Sequence, residues 1–411
     1  MWSNVAPIGV SRPRRPRRTF HFSHNVDTLG DMDFVTDLSV LEPRIATLVA
    51  RHAGVPDGMA VPHACRRIMD DVAGQAVTSS EGGKRLRALL TIAAFDAARR
   101  DDASGARGEA RRDAVVDMAC AIEVFQTAAL VHDDIIDDSD LRRGRPSAHR
   151  ALIDDLASAP QAESVGRGLG IMLGDLLATA SVAIAHDASV RINASRPAMH
   201  AFLSMHREVE IGQVLDLAVE QVPLDRPEAL ARTSLNVFRW KTASYTTIAP
   251  IELGLIAAQI NPAKARAVAE SIGVSLGLAF QLADDLIDVT GSTAATGKPV
   301  GGDIREGKRT VLLADALQRA DDGQRAELIR MFEAPARDAT DVARAIELFA
   351  LTGAIDHSCA RIATLWGSAM RAVDAAAGLL GLADDRRETL AQACSRFIPE
   401  HLRTKYDGHH E

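Results

Sequence analysis

Two helix-length segments, apolar almost all round, each end in a knot of aspartates, and this pairing constrains the fold more than any other feature. The first runs from Met118 to His132 and continues as Asp133-Asp134-Ile135-Ile136-Asp137-Asp138. The second runs from Ser271 to Ala283 and continues as Asp284-Asp285-Leu286-Ile287-Asp288. A helix without a polar face lies inside a larger bundle. Helical spacing puts Asp133 and Asp137 on one face, one turn apart, and Asp284 and Asp288 likewise.

Such a placement is electrostatically poor. Each cluster repels itself and sits at a helix C-terminus, where the dipole favours cations. Buried carboxylates without partners take up protons instead. A solvated acidic helix end would explain one DDxxD, which turns up by chance in about one chain in ten of this length. Two, each capping an apolar helix, call for a compensating positive charge. Oxygen ligands with no histidine or thiol cluster suit a hard cation, and Mg²⁺ shares its shell between one or two carboxylates and substrate phosphates.

The rest of the chain supplies basic groups to match. Gly82-Gly83-Lys84-Arg85-Leu86-Arg87 opens a helix, where backbone N–H groups and basic side chains make an anion site. Leu141-Arg142-Arg143-Gly144 follows the first acidic cluster, and Lys241-Thr242 lies within a helix. Gly297-Lys298-Pro299 and Glu306-Gly307-Lys308-Arg309-Thr310 follow the second. Metal bridging together with Lys and Arg contacts is how proteins hold diphosphates.

From Asp33 onward the chain reads as successive helices: about 33–53, 61–76, 83–99, 113–138, 165–188, 198–220, 227–257, 262–290, 309–320, 339–350, 354–380 and 385–398. Alanine and leucine dominate while aromatics are only 4% of the 411 residues, which favours helix over strand. No break is long enough to be a linker, so residues 32–405 are expected to form one all-α domain. Residues 1–31 differ. Arg12, Arg14, Arg15, Arg17 and Arg18 alternate with Pro13 and Pro16, which predicts a disordered arm. Arg17-Arg18 lacks the apolar stretch of an export signal, and Met32 is a plausible alternative start. The net charge of −8 argues against nucleic acid as a partner. Four scattered cysteines (Cys65, Cys120, Cys359, Cys394) suggest reduced thiols in the cytoplasm. No charge-free apolar run is long enough to predict a membrane span.

The motifs GGKRLR, HDDIIDDSDLRRGRP, GDLL, GQVLD, KTASY, FQLADDLID and GKPVGGDIREGKRT occur in this order. Over roughly residues 40–400 the chain resembles the trans-isoprenyl diphosphate synthase (polyprenyl synthetase) family. The resemblance implies a single helical bundle around a central cavity, a homodimer, and three Mg²⁺ ions. It implies head-to-tail condensation of isopentenyl diphosphate with dimethylallyl, geranyl or farnesyl diphosphate.

Asp133, Asp137 and Asp284 then resemble direct Mg²⁺ ligands, and Asp134, Asp285 and Asp288 supporting or water-mediated ones. Arg142, Lys241 and Lys298 resemble the grip on the allylic diphosphate, with Lys308 among the same basic groups. Lys84, Arg87, Gln126 and Arg143 resemble the isopentenyl diphosphate site, where Gln126 stands at an often-histidine position. Gln213, Asp216 and Gln281 match polar positions of the same cavity. Thr242 and Gln281 would turn oxygen dipoles toward developing positive charge, beside Lys241. Ala88 and Tyr245 depart from the frequent proline and leucine. His132 reads as a packed helix residue rather than a base.

A class I terpene cyclase would show one DDxxD and need no second diphosphate site. A non-catalytic subunit would show degraded aspartate motifs, and a di-iron bundle needs ExxH pairs that are absent. Product length should depend on side chains lying before Asp133, at Ala128 and Ala129. Two alanines leave that level open, and Phe125, one turn deeper, is the next candidate floor. A floor there fits a C20 product, geranylgeranyl diphosphate; longer chains are the alternative.

Overall fold

The computed structural model describes residues 31–100, 106–156, 160–291 and 300–404. Most of the Arg/Pro-rich arm and Lys298 lie outside the described residues. The architecture is all-helical. The elements are α1 Asp31–His52, α2 Arg66–Ser80, α3 Leu86–Ala98, α4 Ala106–Ile136, α5 Ala148–Asp155, α6 Ala162–Ile192 and α7 Ser195–Val219. They continue as α8 Pro227–Phe238, a π-helical segment Arg239–Ile248, α9 Ala249–Ala257, α10 Pro262–Thr290 and α11 Gly302–Glu306. The last are α12 Val311–Arg319, α13 Asp322–Glu333, α14 Ala339–Leu351, α15 Ala354–Leu380 and α16 Asp384–Ser395. A two-residue hairpin, β1 Leu141–Arg142 with β2 Arg145–Pro146, follows α4.

Helix α4 is the axis of the bundle. Every residue from Ala114 to Phe125 is buried, against α1, α3, α6 and α9. Helix α10 fits the expectation of burial on all faces less well. Ile272, Leu276, Ala279 and Ala283 are buried, but Ser271 is exposed and Val274, Leu278 and Phe280 are half-covered. One side of α10 packs on the π segment and α9, and α15 covers the other, which leaves an open edge. The start of α10 is set locally: Asn261 Oδ1 accepts from the backbone of Ala263 and Lys264, with Pro262 in the first turn. Buried apolar residues from Leu41 to Leu402 form one continuous core.

The structure departs from the sequence reading at 227–257, which is not one α-helix. Its middle third is π-helical. Helices α5, α11 and α13 and the hairpin also went unread, being short or charged. Two helices are long and apolar enough to cross a membrane by length and composition, although charges interrupt the apolar run in each. In α4 the apolar window is 83% buried inside the bundle, as a central helix requires, whereas in α6 it is 44% buried.

Candidate active site

Close backbone approach builds the site. The π segment is pressed between α7 and α10, and glycines make room for it. A Cβ at Gly212 of α7 would lie 2.2 Å from the Lys241 backbone nitrogen, and one at Gly277 of α10 would lie 2.4 Å from the Ala243 Cβ. No real side chain fits there. The i→i+5 winding of such a segment re-aims side chains relative to a regular helix. It carries Lys241 and Thr242 to the mouth where α4, α7 and α10 meet.

There Lys241 Nζ lies 2.6 Å from Asp216 Oδ2 and 3.1 Å from Asp133 Oδ1, and Gln213 Nε2 donates to that same Asp133 oxygen at 2.6 Å. Burial opposes charge on both partners, yet the pairing wins. Lys241 is pushed up to about 12 by Asp133 and Asp216, and Asp133 is held below the usual carboxylate range by Lys241 and Lys308.

Lys308 links the two acidic clusters. Its Nζ is 2.9 Å from Asp137 Oδ2 at the end of α4, 2.8 Å from Glu306 Oε2 and 3.7 Å from Asp303 Oδ1. Despite burial its pKa is raised, first by Asp303 and then by Asp137. Asp285 is buried: Gln281 Nε2 donates to its Oδ1 at 2.8 Å, and its Oδ2 has no hydrogen-bond partner. Burial and the neighbouring Asp303 raise the Asp285 pKa well above the ordinary value. Burial, Asp288 and Glu306 push Asp303 up to about 7 against the pull of Lys308. Thr242 Oγ1 donates to Gln281 Oε1 at 2.8 Å, completing a relay to Asp285.

Asp288 faces the loop: it accepts from the backbone N–H groups of Gly302 and Asp303 at 3.1 and 3.2 Å, anchoring the start of α11. Asp284 is exposed, within electrostatic reach of Asp285 and Asp303. Asp134 is buried and grips Arg142 through both carboxylate oxygens, including a very short contact to Nη2. It therefore orients an arginine.

A second basic region lies across the hairpin. Arg143 and Gly144, both at positive φ, form its two-residue turn. The turn sends neighbouring arginines apart: Arg142 to Asp134, and Arg143 Nη1 to the carbonyls of Glu81 and Gly82 at 2.5 and 2.9 Å. Gly83, at φ +102°, leaves the space that the Arg143 guanidinium occupies. Arg85, in the left-handed region, is locked by Glu42 at 2.8 Å, Glu123 at 3.5 Å and the Ser80 carbonyl at 2.6 Å. Glu123 also accepts from the Ala88 N–H at 3.1 Å, tying α4 to the first turn of α3. Lys84 is exposed, Arg87 is buried and Gln126, one turn after Glu123, is half-buried. The structure thus gathers Asp216, Lys241, Thr242, Gln281, Asp285 and Lys308 around one cleft, with Asp133 and Gln213 joined to Lys241 and Asp137 to Lys308, while Asp134 pairs with Arg142 and Lys84 and Gln126 stand apart from these contacts, exposed and half-buried.

Sequence reasoning passed over Asp303, Glu306, Arg85 and Glu123. Asp303 and Glu306 stand within the GGDIREGK run and Arg85 within GGKR. Glu123 carried no signal beyond being a lone acid in an apolar helix. His132 packs where Gly174 leaves it room, with Nε2 3.2 Å from the Ile171 carbonyl.

The polyprenyl synthetase family model matches residues 69–349. The chain belongs to the polyprenyl synthetase family. It is a prenyltransferase with trans-prenyl diphosphate synthase activity. The short chain isoprenyl diphosphate synthase of Methanothermobacter thermautotrophicus is 32% identical over 282 residues, 67% of this chain and 75% of that protein. The geranylfarnesyl diphosphate synthase of Aeropyrum pernix is 31% identical over 283 residues, 68% and 79% of the two chains. The crystal structure of the Corynebacterium glutamicum geranylgeranyl pyrophosphate synthase, complexed with isoprenyl diphosphate and magnesium, superposes with a TM-score of 0.73 at 31% identity. That match covers 90% of this synthase and 99% of the other chain.

Deep in the synthase, His206 of α7 stacks on Phe125 with ring centroids 3.8 Å apart, and its Nε2 lies 3.3 Å from Ser181 Oγ. Burial lowers its pKa to about 4. A histidine depressed from about 6.5 contributes stability that is present above pH 6.5 and lost as pH falls toward 4. At pH 5 the loss is about 2 kcal/mol. His206→Phe is expected to remove this acid-side loss, so that melting temperatures at pH 5 and pH 7 converge relative to wild type. An unchanged difference would place the acid sensitivity elsewhere.

Proposed function

We propose that this prenyltransferase condenses an allylic diphosphate head-to-tail with isopentenyl diphosphate, giving geranylgeranyl diphosphate (C20). The observation that carries the reading is Lys308. One ammonium reaches Asp137 of the first cluster and Asp303 and Glu306 beside the second, so both clusters serve one cleft. A separate basic region around Lys84, Arg87, Gln126 and Arg143 suits a second diphosphate.

The donor set fits magnesium: oxygen only, with an orphaned buried oxygen on Asp285 and lysines drawn in among the acids. Among the described residues no three carboxylates, histidines or cysteines converge into a metal site by themselves, so the ions would take further ligands from substrate phosphates. Asp133, Asp137 and Asp284 would hold the ions, with Asp285 and Asp303 behind them. When bound, magnesium supplies positive charge that makes the diphosphate a better leaving group.

This chain's own residues do the rest. Arg142, Lys241 and Lys308 bind and orient the allylic diphosphate. Ionisation leaves an allylic cation whose charge meets the oxygen dipoles of Thr242 and Gln281. The double bond of isopentenyl diphosphate, held by Lys84, Arg87, Gln126 and Arg143, attacks that carbon. The released diphosphate takes the proton as the new double bond forms. Buried apolar side chains around Phe125 keep water from the cation.

The length assignment rests on the buried Ala128 and half-buried Ala129 above Phe125, which is 4% exposed and backed by His206. Chromatography of the dephosphorylated product tests it: geranylgeraniol is expected, and farnesol as the end product would refute the open upper level. We also propose a homodimer formed through α6 and α7. Ile171, Met172, Leu203, Ile211, Val214 and Leu217 are exposed there, more apolar surface than a lone helix pair normally leaves to water. A monomeric mass at micromolar concentration would contradict it. Four free cysteines support a reducing, cytoplasmic setting.

A further inference from the structure

Arg87 differs from Arg85 and Arg142 in how it is held. Arg85 is neutralised by Glu42 and Glu123, and Arg142 by Asp134. Among the described residues no carboxylate pairs with Arg87. Its Nη2 donates to Thr246 Oγ1 at 2.8 Å, its Nε has no partner, and its guanidinium carbon lies 4.2 Å from the centroid of the Tyr245 ring. A π face stabilises a cation without cancelling its charge. Arg87 is therefore kept in place, with N–H groups to spare, for an anionic ligand.

The same ring has a second contact. Tyr245 and Phe125 pack perpendicular to each other, with centroids 6.1 Å apart and planes at 90°, while His206 stacks on Phe125 from α7. Phe125 is thus clamped between the π segment and α7. A leucine in place of Tyr245 would keep apolar packing against Phe125 but offer Arg87 no π face and Phe125 no perpendicular ring.

We propose that Tyr245 is a specificity-determining residue that joins the two substrate regions of this synthase. Its ring face holds the charge that receives isopentenyl diphosphate, and its perpendicular contact with Phe125 fixes the floor that ends the growing chain. This rests on the condensation reading above. The π winding holds Lys241, Thr242 and Tyr245 on one short stretch, of which Lys241 and Thr242 line the cleft.

The test compares Tyr245→Leu, Tyr245→Met and Tyr245→Phe in the full chain with farnesyl diphosphate and isopentenyl diphosphate. Leu and Met are expected to raise KM for isopentenyl diphosphate about tenfold, the effect of losing a desolvated cation–π contact. KM for the allylic substrate should stay within about twofold, because Arg142, Lys241 and Lys308 are held by Asp134, by Asp133 and Asp216, and by Asp137 rather than by Tyr245. The same two variants should yield products at least one isoprene unit longer, since Phe125 gains room to swing. Tyr245→Phe keeps the ring and should change neither readout. A Leu or Met variant that shifts only one of the two readouts, or neither, overturns the proposal. So does loss of folding in both by circular dichroism, which would make the ring a packing element. If wild type shows no turnover dependent on isopentenyl diphosphate, the condensation reading fails first, and the two failures are distinguishable.

Discussion

Asp133→Ala is expected to lower kcat by about a thousandfold or more, with the helical circular dichroism signal unchanged. Each tenfold in rate corresponds to about 1.4 kcal/mol, and if Asp133 belongs to the proposed metal–diphosphate site its loss removes several kcal/mol of charge stabilisation. The fold should survive because the carboxylate serves the cleft. Its loss still leaves Lys241 paired with Asp216 at 2.6 Å. Asp284→Ala should behave alike, being an exposed side chain on α10. Near-normal activity in either variant would remove that residue from the site.

Ala128→Phe is expected to switch the main product from C20 to C15, and Phe125→Ala to lengthen it by one or more isoprene units. A helical turn spans about 5.4 Å, close to one isoprene unit, so moving the barrier by a turn along α4 moves the product by one step. Ala128 is 1% exposed, so the new ring has to occupy the tail space or crowd the core. Phe125→Ala opens the level below without crowding, although the His206 ring then stands as the next obstacle. Liquid chromatography with mass detection of the alcohols reads both. An unchanged product in both variants would show that other helices set chain length.

Those two results bear on what was legible in the sequence. The bundle was readable because apolar residues recur at helical spacing through α4, α7 and α15, and because Pro262 and Asn261 mark the start of α10. The aspartate clusters were readable because two such knots are improbable without a common partner. The π segment was not readable. It depends on Gly212 and Gly277, which lie on other helices, admitting the backbone of 239–248. Nor was the pairing of Asp134 with Arg142, because a carboxylate eight residues before an arginine has no fixed geometry until the hairpin folds back. Asp303 escaped notice although it stands within the GGDIREGK run, because its half-buried place beside Asp288 and Glu306 is set by the fold. Tyr245 looked like a minor departure and emerged as the contact between Arg87 and Phe125.

The most direct test of the condensation reading is diphosphate release from farnesyl diphosphate with Mg²⁺, measured with and without isopentenyl diphosphate. Release is expected only when both substrates and the metal are present, in equal moles with a longer prenyl diphosphate. Release without isopentenyl diphosphate, accompanied by a hydrocarbon, would identify a cyclase and contradict the account. No release under any condition would contradict it as well.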